Sequence, residues 1–234
     1  MTRPLAGTSV ELAWGIAGLH TLAADCDVLV VVDILSFTTA VSVATACGAT
    51  VRPVDPDVTV DDLSPNEVAA GPREGPGPSL SPTSLRELRP GQQLVLSSPN
   101  GAAIAAALGT ARAVAASLRN VGSVAEWLRA KGGRVGVVAA GERDTDGHWR
   151  PSYEDAVGAG AIATKLGGSW SPQIAAAAAS FAAAEGDLGE RLMQCRSGLT
   201  LAARGFATDV AMAAELDADD VVPLWRDGSF AAGS

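Results

Sequence analysis

Four apolar stretches recur along the chain, and each is followed by a polar or glycine-containing turn and then by small residues in a helical pattern. They are Val28–Val32, Gln93–Leu96, Ala113–Ala116 and Arg134–Ala139. Short apolar runs that alternate with helical segments are typical of a sheet covered by helices. The pattern therefore predicts a layered α/β fold.

Two other regions refine this fold. The segment from Ser171 to Leu216 is almost entirely helix-favouring, and Val221–Trp225 then returns as a short strand. A late strand after a helical cluster indicates a mixed, mostly parallel sheet. Between Asp55 and Pro90 proline, glycine and aspartate are frequent, so we expect little regular structure there. That segment is either a flexible lid or a surface excursion.

Composition narrows the function classes. With 234 residues and 47% hydrophobic residues, the chain can build the core of one domain spanning residues 1–234. Aromatic residues make up only 4% and the net charge is −9, which disfavours nucleic acid and anionic membranes as partners. We find no secretion signal and no membrane-spanning run. Cys26, Cys47 and Cys195 are far apart, so we expect reduced, buried thiols in a cytoplasmic protein.

Asp33 stands at the end of the first apolar run, before hydroxyl residues and a helical stretch. Open α/β sheets bind ligands where a strand ends and the next helix offers free N–H groups, which attract anions. A carboxylate cannot attract an anion, so Asp33 is better explained as a ligand of Mg²⁺ that meets the anion. The alternative is that Asp33 caps the helix while Ser36, Thr38 and Thr39 satisfy nearby backbone groups.

Polar residues also follow the second and third apolar runs. Gly101 lets the backbone approach a ligand, Asn100 can donate to ligand oxygens, and Ser98 lies beside them. Arg119 offers a planar fork for phosphate or sulfonate. The alternatives are an ordinary turn at the first position and a solvated loop arginine at the second.

After the fourth run, a polar loop leads to Glu154 and Asp155 at the start of a helix. Their carboxylates could complete a magnesium site with Asp33 in a crevice shared by the strand ends. Ser152 and Asp155 also match a helix-capping pair. Adjacent residues cannot share one helical face, so Glu154 is the preferred ligand of the two.

The remaining motifs give no support to other enzyme classes. The segment 158–163, GAGAIA, matches the end of a dinucleotide-binding fingerprint, but helical residues precede it instead of a strand. We therefore expect close helix packing there. A phosphate-binding loop and a serine-hydrolase elbow are both absent from the sequence. His20 and His148 lack further zinc ligands and are expected to be structural or solvent-facing.

Five segments, taken together and in this order, resemble the 2-phosphosulfolactate phosphatase family over nearly the whole chain. They are VVVDILSFTTAVSVA, SSPNGA, AASLRN, YEDAVGAGAI and RSGLTLAARGFATDVAMAAELDADDVVPLW. The resemblance implies a three-layer α/β/α fold with a mixed sheet. It also implies magnesium-dependent hydrolysis of 2-phospho-3-sulfolactate to 3-sulfolactate and phosphate, a step toward coenzyme M.

The family pattern falls on specific positions of this chain, namely Asp33, Thr38, Thr39, Asn100, Gly101, Ser117, Arg119, Asn120, Glu154, Asp155, Gly205 and Asp209. The chain departs from it at Ser36, where family members commonly carry arginine, and at Gly71–Glu74, which only loosely matches a Gly-Glu-Arg segment. Losing a charged contact to a buried anion costs about 2–5 kcal/mol. The serine at position 36 therefore leaves the identity of the substrate undecided, whereas it does not affect the predicted fold.

These observations lead to one leading hypothesis, a magnesium-dependent phosphatase acting on a small anionic phosphomonoester. The predicted catalytic residues are Asp33, Asn100, Arg119 and Glu154, the metal ligands Asp33, Glu154 and Asp155, and the substrate-binding residues Ser36, Thr38, Thr39, Ser98, Gly101, Ser117, Asn120 and Asp209. Asn100 and Arg119 would bind the phosphoryl oxygens. Leu35 stands where haloacid-dehalogenase phosphatases carry a second aspartate, which favours a metal-held water over a carboxylate as the nucleophile.

Two alternatives belong to other classes. One is a noncatalytic anion-binding or interaction protein that retains the fold. The other, a nucleotide-dependent oxidoreductase, rests only on the misplaced GAGAIA motif. The alanine-rich helix at Ile174–Ala184 could also support a homodimer.

Overall fold

The computed structural model describes residues 7–55, 63–143 and 148–233. Within these ranges the strands are β1 (Ser9–Trp14), β2 (Val28–Val32), β3 (Thr50–Val54), β4 (Glu67–Ala69), β5 (Gln93–Ser97), β6 (Ala113–Ala116), β7 (Arg134–Ala139), β8 (Glu142–Arg143), β9 (Trp149–Arg150), β10 (Ser169–Trp170), β11 (Pro223–Arg226) and β12 (Ser229–Ala232). The helices are α1 (Gly15–Ala23), α2 (Phe37–Ala46), α3 (Gly101–Ala106), α4 (Val121–Lys131), α5 (Tyr153–Leu166), α6 (Pro172–Ala184), α7 (Leu188–Gln194), α8 (Arg196–Ala203) and α9 (Ala207–Ala213). Two short 3₁₀ helices cover Pro82–Leu85 and Leu118–Asn120.

One mixed sheet runs through the molecule in the strand order β10-β1-β7-β2-β6-β11-β12-β3-β5-β4. It consists of two parallel blocks, β10-β1-β7-β2-β6 and β3-β5-β4. The antiparallel hairpin β11–β12 joins them through single residue pairs on each side. The predicted mixed, mostly parallel sheet is confirmed, although the late strand begins at Pro223 and not at Val221. β8 and β9 form a separate antiparallel pair.

Strand β2 lies inside the sheet and is buried along its whole length. Val28, Val30 and Val32 pack with residues of α4, α5 and α6 on one face. Leu29 and Val31 pack with residues of α1, α2 and α3 on the other. A strand covered by helices on both sides must be apolar at every position, which explains its uninterrupted sequence. The three-layer α/β/α fold is confirmed.

The GAGAIA motif lies within α5 and packs tightly. A Cβ atom at Gly160 would lie 2.0 Å from the carbonyl oxygen of Ala177 in α6, and one at Gly158 would lie 2.5 Å from the side chain of Ile34. Only glycine permits these approaches, because any larger side chain would overlap its neighbour. The expected close helix packing is confirmed.

In the described part of the proline- and glycine-rich segment, residues 63–90, regular structure is limited to β4 and the first 3₁₀ helix. This confirms the expected scarcity. The segment is not a mere surface excursion, because Leu85 is fully buried, Leu88 is 8% exposed, and Ser79 and Ser81 are buried as well. Residues 56–62 lie outside the described ranges.

The cysteines are free thiols, with Cys195 buried and Cys26 and Cys47 half-buried. The expectation that all three are buried is therefore wrong for two of them. His20 and His148 are exposed. Among the helices of the described residues, none has the length and apolar character that crossing a membrane requires.

Candidate active site

The carboxyl ends of β2, β5 and β7 come together in space. Asp155 ties two of them, because its Oδ1 accepts a hydrogen bond from the N–H of Ile34 at 2.8 Å and its Oδ2 from the N–H of Gly141 at 2.9 Å. The N–H of Gly101, which follows β5, lies close enough to Asp33 at the end of β2 to lower the pKa of that carboxyl. Three of the four predicted strand ends thus form one site.

Asp33 is buried at the centre of this site, with 6% of its surface exposed. Its Oδ1 accepts a hydrogen bond of 3.4 Å from the N–H of Phe37 in the first turn of α2. Burial raises the pKa of Asp33 to about 7, and the negative charges of Glu154 and Glu142 add to that increase, against the N–H groups of Phe37 and Gly101. The carboxylate at the end of β2 therefore lies close to two others.

The hydroxyl groups that follow Asp33 bind backbone atoms. Thr38 Oγ1 donates to the Asp33 carbonyl at 2.9 Å and accepts from the Asp33 N–H at 3.0 Å. Thr39 Oγ1 donates to the carbonyl of Ile34 at 2.8 Å. Both threonines are fully buried. The structure thus gives them the backbone-satisfying role that was the alternative to substrate binding.

Glu154 and Asp155 point in different directions. Glu154 lines a cavity and accepts a hydrogen bond from Ser197 Oγ. Asp155 also accepts a hydrogen bond from Ser152 Oγ at 2.8 Å, so its oxygens are engaged by Ser152 and by the two strand-end N–H groups. Burial raises the pKa of Asp155 well above its usual range, and Asp33 and Glu154 raise it further. Asp155 therefore has a structural role, since its hydrogen bonds hold the ends of β2 and β7 together, while Glu154 lines the cavity.

The expected capping pair differs from the one in the structure. Ser152 is the N-cap residue of α5, but its side chain makes no capping hydrogen bond to the backbone. It donates to the Asp155 carboxylate instead. The Ser152 hydroxyl thus gives the buried Asp155 carboxylate a third hydrogen-bond donor, beside the two N–H groups at the strand ends.

The loop after β5 contributes one side chain to the cavity. Asn100 lines it, whereas Ser98 Oγ accepts a hydrogen bond of 3.2 Å from the N–H of Gly101. A Cβ atom at Gly101 would lie 2.4 Å from the ring of Phe37. Gly101 is therefore required for packing, and Ser98 shapes the turn.

At the fourth strand end, after β6, residues from the C-terminal part of the chain bind the side chain of Arg119. Arg119 donates to both oxygens of Asp219, at 2.7 and 2.8 Å, to the Met212 carbonyl at 3.0 Å, and to Glu215. Ser117 and Asn120 form a reciprocal cap. The structure thus places all three residues predicted here in a buried network instead of the cavity, because acidic partners from a distant segment occupy the guanidinium.

Two adjoining cavities open at the site. The larger, about 540 Å³, is bordered by Leu35 and Asn100, and the smaller, about 330 Å³, by Glu154 and Cys195. Five arginines line the larger cavity, namely Arg73, Arg143, Arg150, Arg196 and Arg204. Sequence analysis missed all five, since each is one basic residue in a polar stretch and only the fold collects them. Arg73 is the one that the sequence could have indicated, because it lies in the segment Gly71–Glu74 that loosely matches a Gly-Glu-Arg segment of the family.

Asp209 holds one of these arginines in place. Its fully buried carboxylate accepts hydrogen bonds from Ser81 Oγ at 2.6 Å and Thr83 Oγ1 at 2.8 Å, and it pairs with Arg73. Arg73 Nη2 donates to Ser36 Oγ at 3.0 Å, and its guanidinium lies over the ring of Phe206. Asp209 therefore fixes the segment 71–83 over the site, and Ser36 has a guanidinium beside it.

Gly205, the remaining position of the family pattern, lies between α8 and α9 with a φ of +90°. This left-handed conformation favours glycine. Its place in the pattern is explained by the turn between the two helices.

Comparison with known proteins identifies the family of this chain. The family model described as 2-phosphosulpholactate phosphatase matches residues 18–228. The chain belongs to the 2-phosphosulfolactate phosphatase family. Proteins named "Probable 2-phosphosulfolactate phosphatase" from Gloeobacter violaceus and Deinococcus radiodurans are each 32% identical to it over 213 residues, covering 84% of this chain and 87% of theirs. Family membership confirms the prediction of a phosphoric monoester hydrolase.

Proposed function

We propose that this protein is a magnesium-dependent phosphatase that hydrolyses 2-phospho-3-sulfolactate to 3-sulfolactate and phosphate. The observation that supports this most strongly is that Glu154, whose charge raises the pKa of the buried Asp33, lines a cavity that adjoins another cavity lined by five arginines. The names of the family and of the two relatives point to the same substrate.

The charge of the cavity suits a strongly anionic ester. The proposed substrate carries a phosphate, a carboxylate and a sulfonate, all ionised at neutral pH. The chain has a net charge of −9, yet the larger cavity is lined by five arginines and by Glu142 as its one acidic residue among those described. A local positive field of this kind concentrates and orients anions.

The acidic side chains suit a bound magnesium ion. Mg²⁺ in phosphoryl-transfer sites takes one or two carboxylates and completes its shell with water and phosphate oxygens. Asp33 and Glu154 would hold it. Within the described residues no group of three or more His, Cys, Asp or Glu side chains could hold a metal ion, so water and the phosphate of the substrate would have to supply the remaining ligands. When bound, the ion neutralises phosphoryl charge and makes a coordinated water more acidic.

The chain's own groups would orient the ester for attack by water. Asn100 donates from Nδ2 to the phosphoryl oxygens, and the cavity arginines bind the other acid groups. Water is the proposed nucleophile because Leu35 replaces the second aspartate of haloacid-dehalogenase phosphatases. The water oxygen bonds to phosphorus as the ester P–O bond breaks, and the one proton that the water loses balances the one that the leaving oxygen of sulfolactate takes up.

Phosphate release from 2-phospho-3-sulfolactate tests this proposal, with Mg²⁺ or with EDTA. We expect release only with Mg²⁺, and a loss of about 100-fold or more in Asp33→Asn and Glu154→Gln. Asp25→Asn, at an exposed position before β2, is the matched control and should match the wild type. If the folded wild type released no phosphate from any phosphomonoester, the noncatalytic alternative would replace the proposal.

A further inference from the structure

Arg150 and Arg196 stand where the two cavities meet. Both line the larger cavity and the smaller one, and so does Glu142. Arg150 belongs to β9 and Arg196 opens α8, so two separate elements deliver them to this junction. Burial and the charge of Glu154 raise the pKa of Glu142, and the charges of Arg150 and Arg196 oppose that rise.

Arg150 has an unused donor at the junction. Its Nη2 pairs with Glu142, while its Nε is buried and has no hydrogen-bond partner among the described residues. Buried donors in folded proteins are almost always paired, because an unpaired one loses its water without compensation. A ligand oxygen at the junction would supply the partner that this N–H lacks.

Two other arginines of the larger cavity are already paired with carboxylates. Arg73 pairs with Asp209, and Arg204 pairs with Glu74. Arg196 is exposed and makes no ion pair within the described parts of the chain. Arg143, which lines only the larger of the two cavities, also has no ion pair among the described residues, so Arg196 is the arginine that brings unpaired positive charge to the junction.

We propose that Arg150 and Arg196 form the subsite that binds the sulfonate of the substrate and so select sulfonated phosphoesters. This assignment rests on the proposed function. With the phosphoryl group by Asp33, Glu154 and Asn100, the carboxylate and the sulfonate remain for the arginines. The carboxylate is attached to the carbon that bears the phosphate, whereas the sulfonate is one carbon further away and so reaches the junction. A sulfonate has three oxygens in a tetrahedral arrangement, which two guanidinium groups from different elements can bind together.

The first test compares two substrates that differ only in the sulfonate, 2-phospho-3-sulfolactate and 2-phospholactate. Arg196→Met should lower kcat/KM for the sulfonated ester by about 30-fold or more, and for 2-phospholactate by less than about threefold. Arg150→Lys keeps the charge but removes the Nε donor. It should also lower kcat/KM for the sulfonated ester more than kcat/KM for 2-phospholactate. An equal loss on both substrates, or no loss on either, overturns the assignment.

Arg112→Met is the matched control. Arg112 is an exposed arginine before β6, at the opposite end of that strand from the site, and its removal changes the net charge equally. It should change kcat/KM for both esters by less than about threefold. A selective loss in this control would assign the effect to overall charge and overturn the subsite.

The second test needs no turnover and separates the two proposals. In titration calorimetry the wild type should bind 3-sulfolactate more tightly than lactate, and Arg196→Met should abolish that preference. A wild type that shows this preference but releases no phosphate refutes the proposed function and leaves the subsite supported. A wild type without the preference, or a variant that keeps it, refutes the subsite whatever the activity is.

Discussion

Asp33 should make the metal-free protein less stable as the pH rises. Its pKa is about 7 in the folded protein and near 3.8 in the unfolded chain, so between these pH values the folded state holds a proton that the unfolded state has released. The free energy of unfolding therefore falls as the pH increases through this range. About three pH units at about 1.4 kcal/mol each give a loss of about 4 kcal/mol.

Asp33→Asn removes this dependence at one site. The amide keeps an oxygen for the N–H of Phe37 but cannot ionise beside Glu154 and Glu142. In EDTA the variant should be more stable than the wild type by up to about 4 kcal/mol at pH 8, and the advantage should shrink toward pH 5. Asp155, whose pKa is also raised, remains in both proteins and leaves some pH dependence in the variant.

The assay is urea unfolding followed by tryptophan fluorescence at several pH values from 5 to 8, with Asp25→Asn as the control for losing one exposed carboxylate. Equal pH slopes in the wild type and Asp33→Asn would show that Asp33 is ionised in the folded protein without metal. A variant less stable than the wild type at pH 8 would show that the Asp33 carboxylate stabilises the fold. Either result refutes the reasoning.

Three further predictions concern packing and buried ion pairs. Asp209→Asn leaves the guanidinium of Arg73 buried without its carboxylate and should lower the free energy of unfolding by about 3–5 kcal/mol in urea. Gly160→Ala should destabilise the protein by about 1–3 kcal/mol or more, since the added methyl overlaps a backbone carbonyl of α6. The control Gly189→Ala, in α7 with open space around it, should be neutral or stabilising by up to about 1 kcal/mol. Arg119→Met breaks the buried network after β6 and should cost about 3–5 kcal/mol in thermal or urea unfolding, while kcat/KM of the folded variant changes by less than about threefold.

The sequence predicts the strands that are buried along nearly their whole length better than the other strands of the sheet. β2, β6 and β7 match the predicted runs at both ends, because strands buried on both faces must be apolar throughout. Five strands of this sheet that are only partly buried or exposed were not predicted, namely β1, β3, β4, β10 and β12. β4 has three residues and β10 has two, and both exist through pairing with a neighbouring strand that local sequence does not specify.

Among the candidate site residues, the strand-end carboxylates follow from local sequence, but side-chain direction does not. The hydroxyl groups of Thr38 and Thr39 could bind either a ligand or the backbone. The turn conformation after Asp33 directs them to backbone atoms, which local sequence does not reveal. The guanidinium of Arg119 is chemically suited to bind an anionic ligand. In the structure it is bound instead by the carboxylate of Asp219, a hundred residues later in the chain. Burial of a polar group requires a partner, and the identity of that partner is a property of the fold.

The arginines of the cavity show why the substrate question could not be answered from Ser36 alone. A serine at that position removes a charge from the end of β2, but Arg73 brings one back to the Ser36 hydroxyl from a loop 37 residues later. That loop is held by Asp209, which lies 136 residues beyond Arg73. The charge beside Ser36 is therefore set by three separate segments. A change at Asp209 should alter substrate binding through Arg73 even though the carboxylate itself lies outside the cavity.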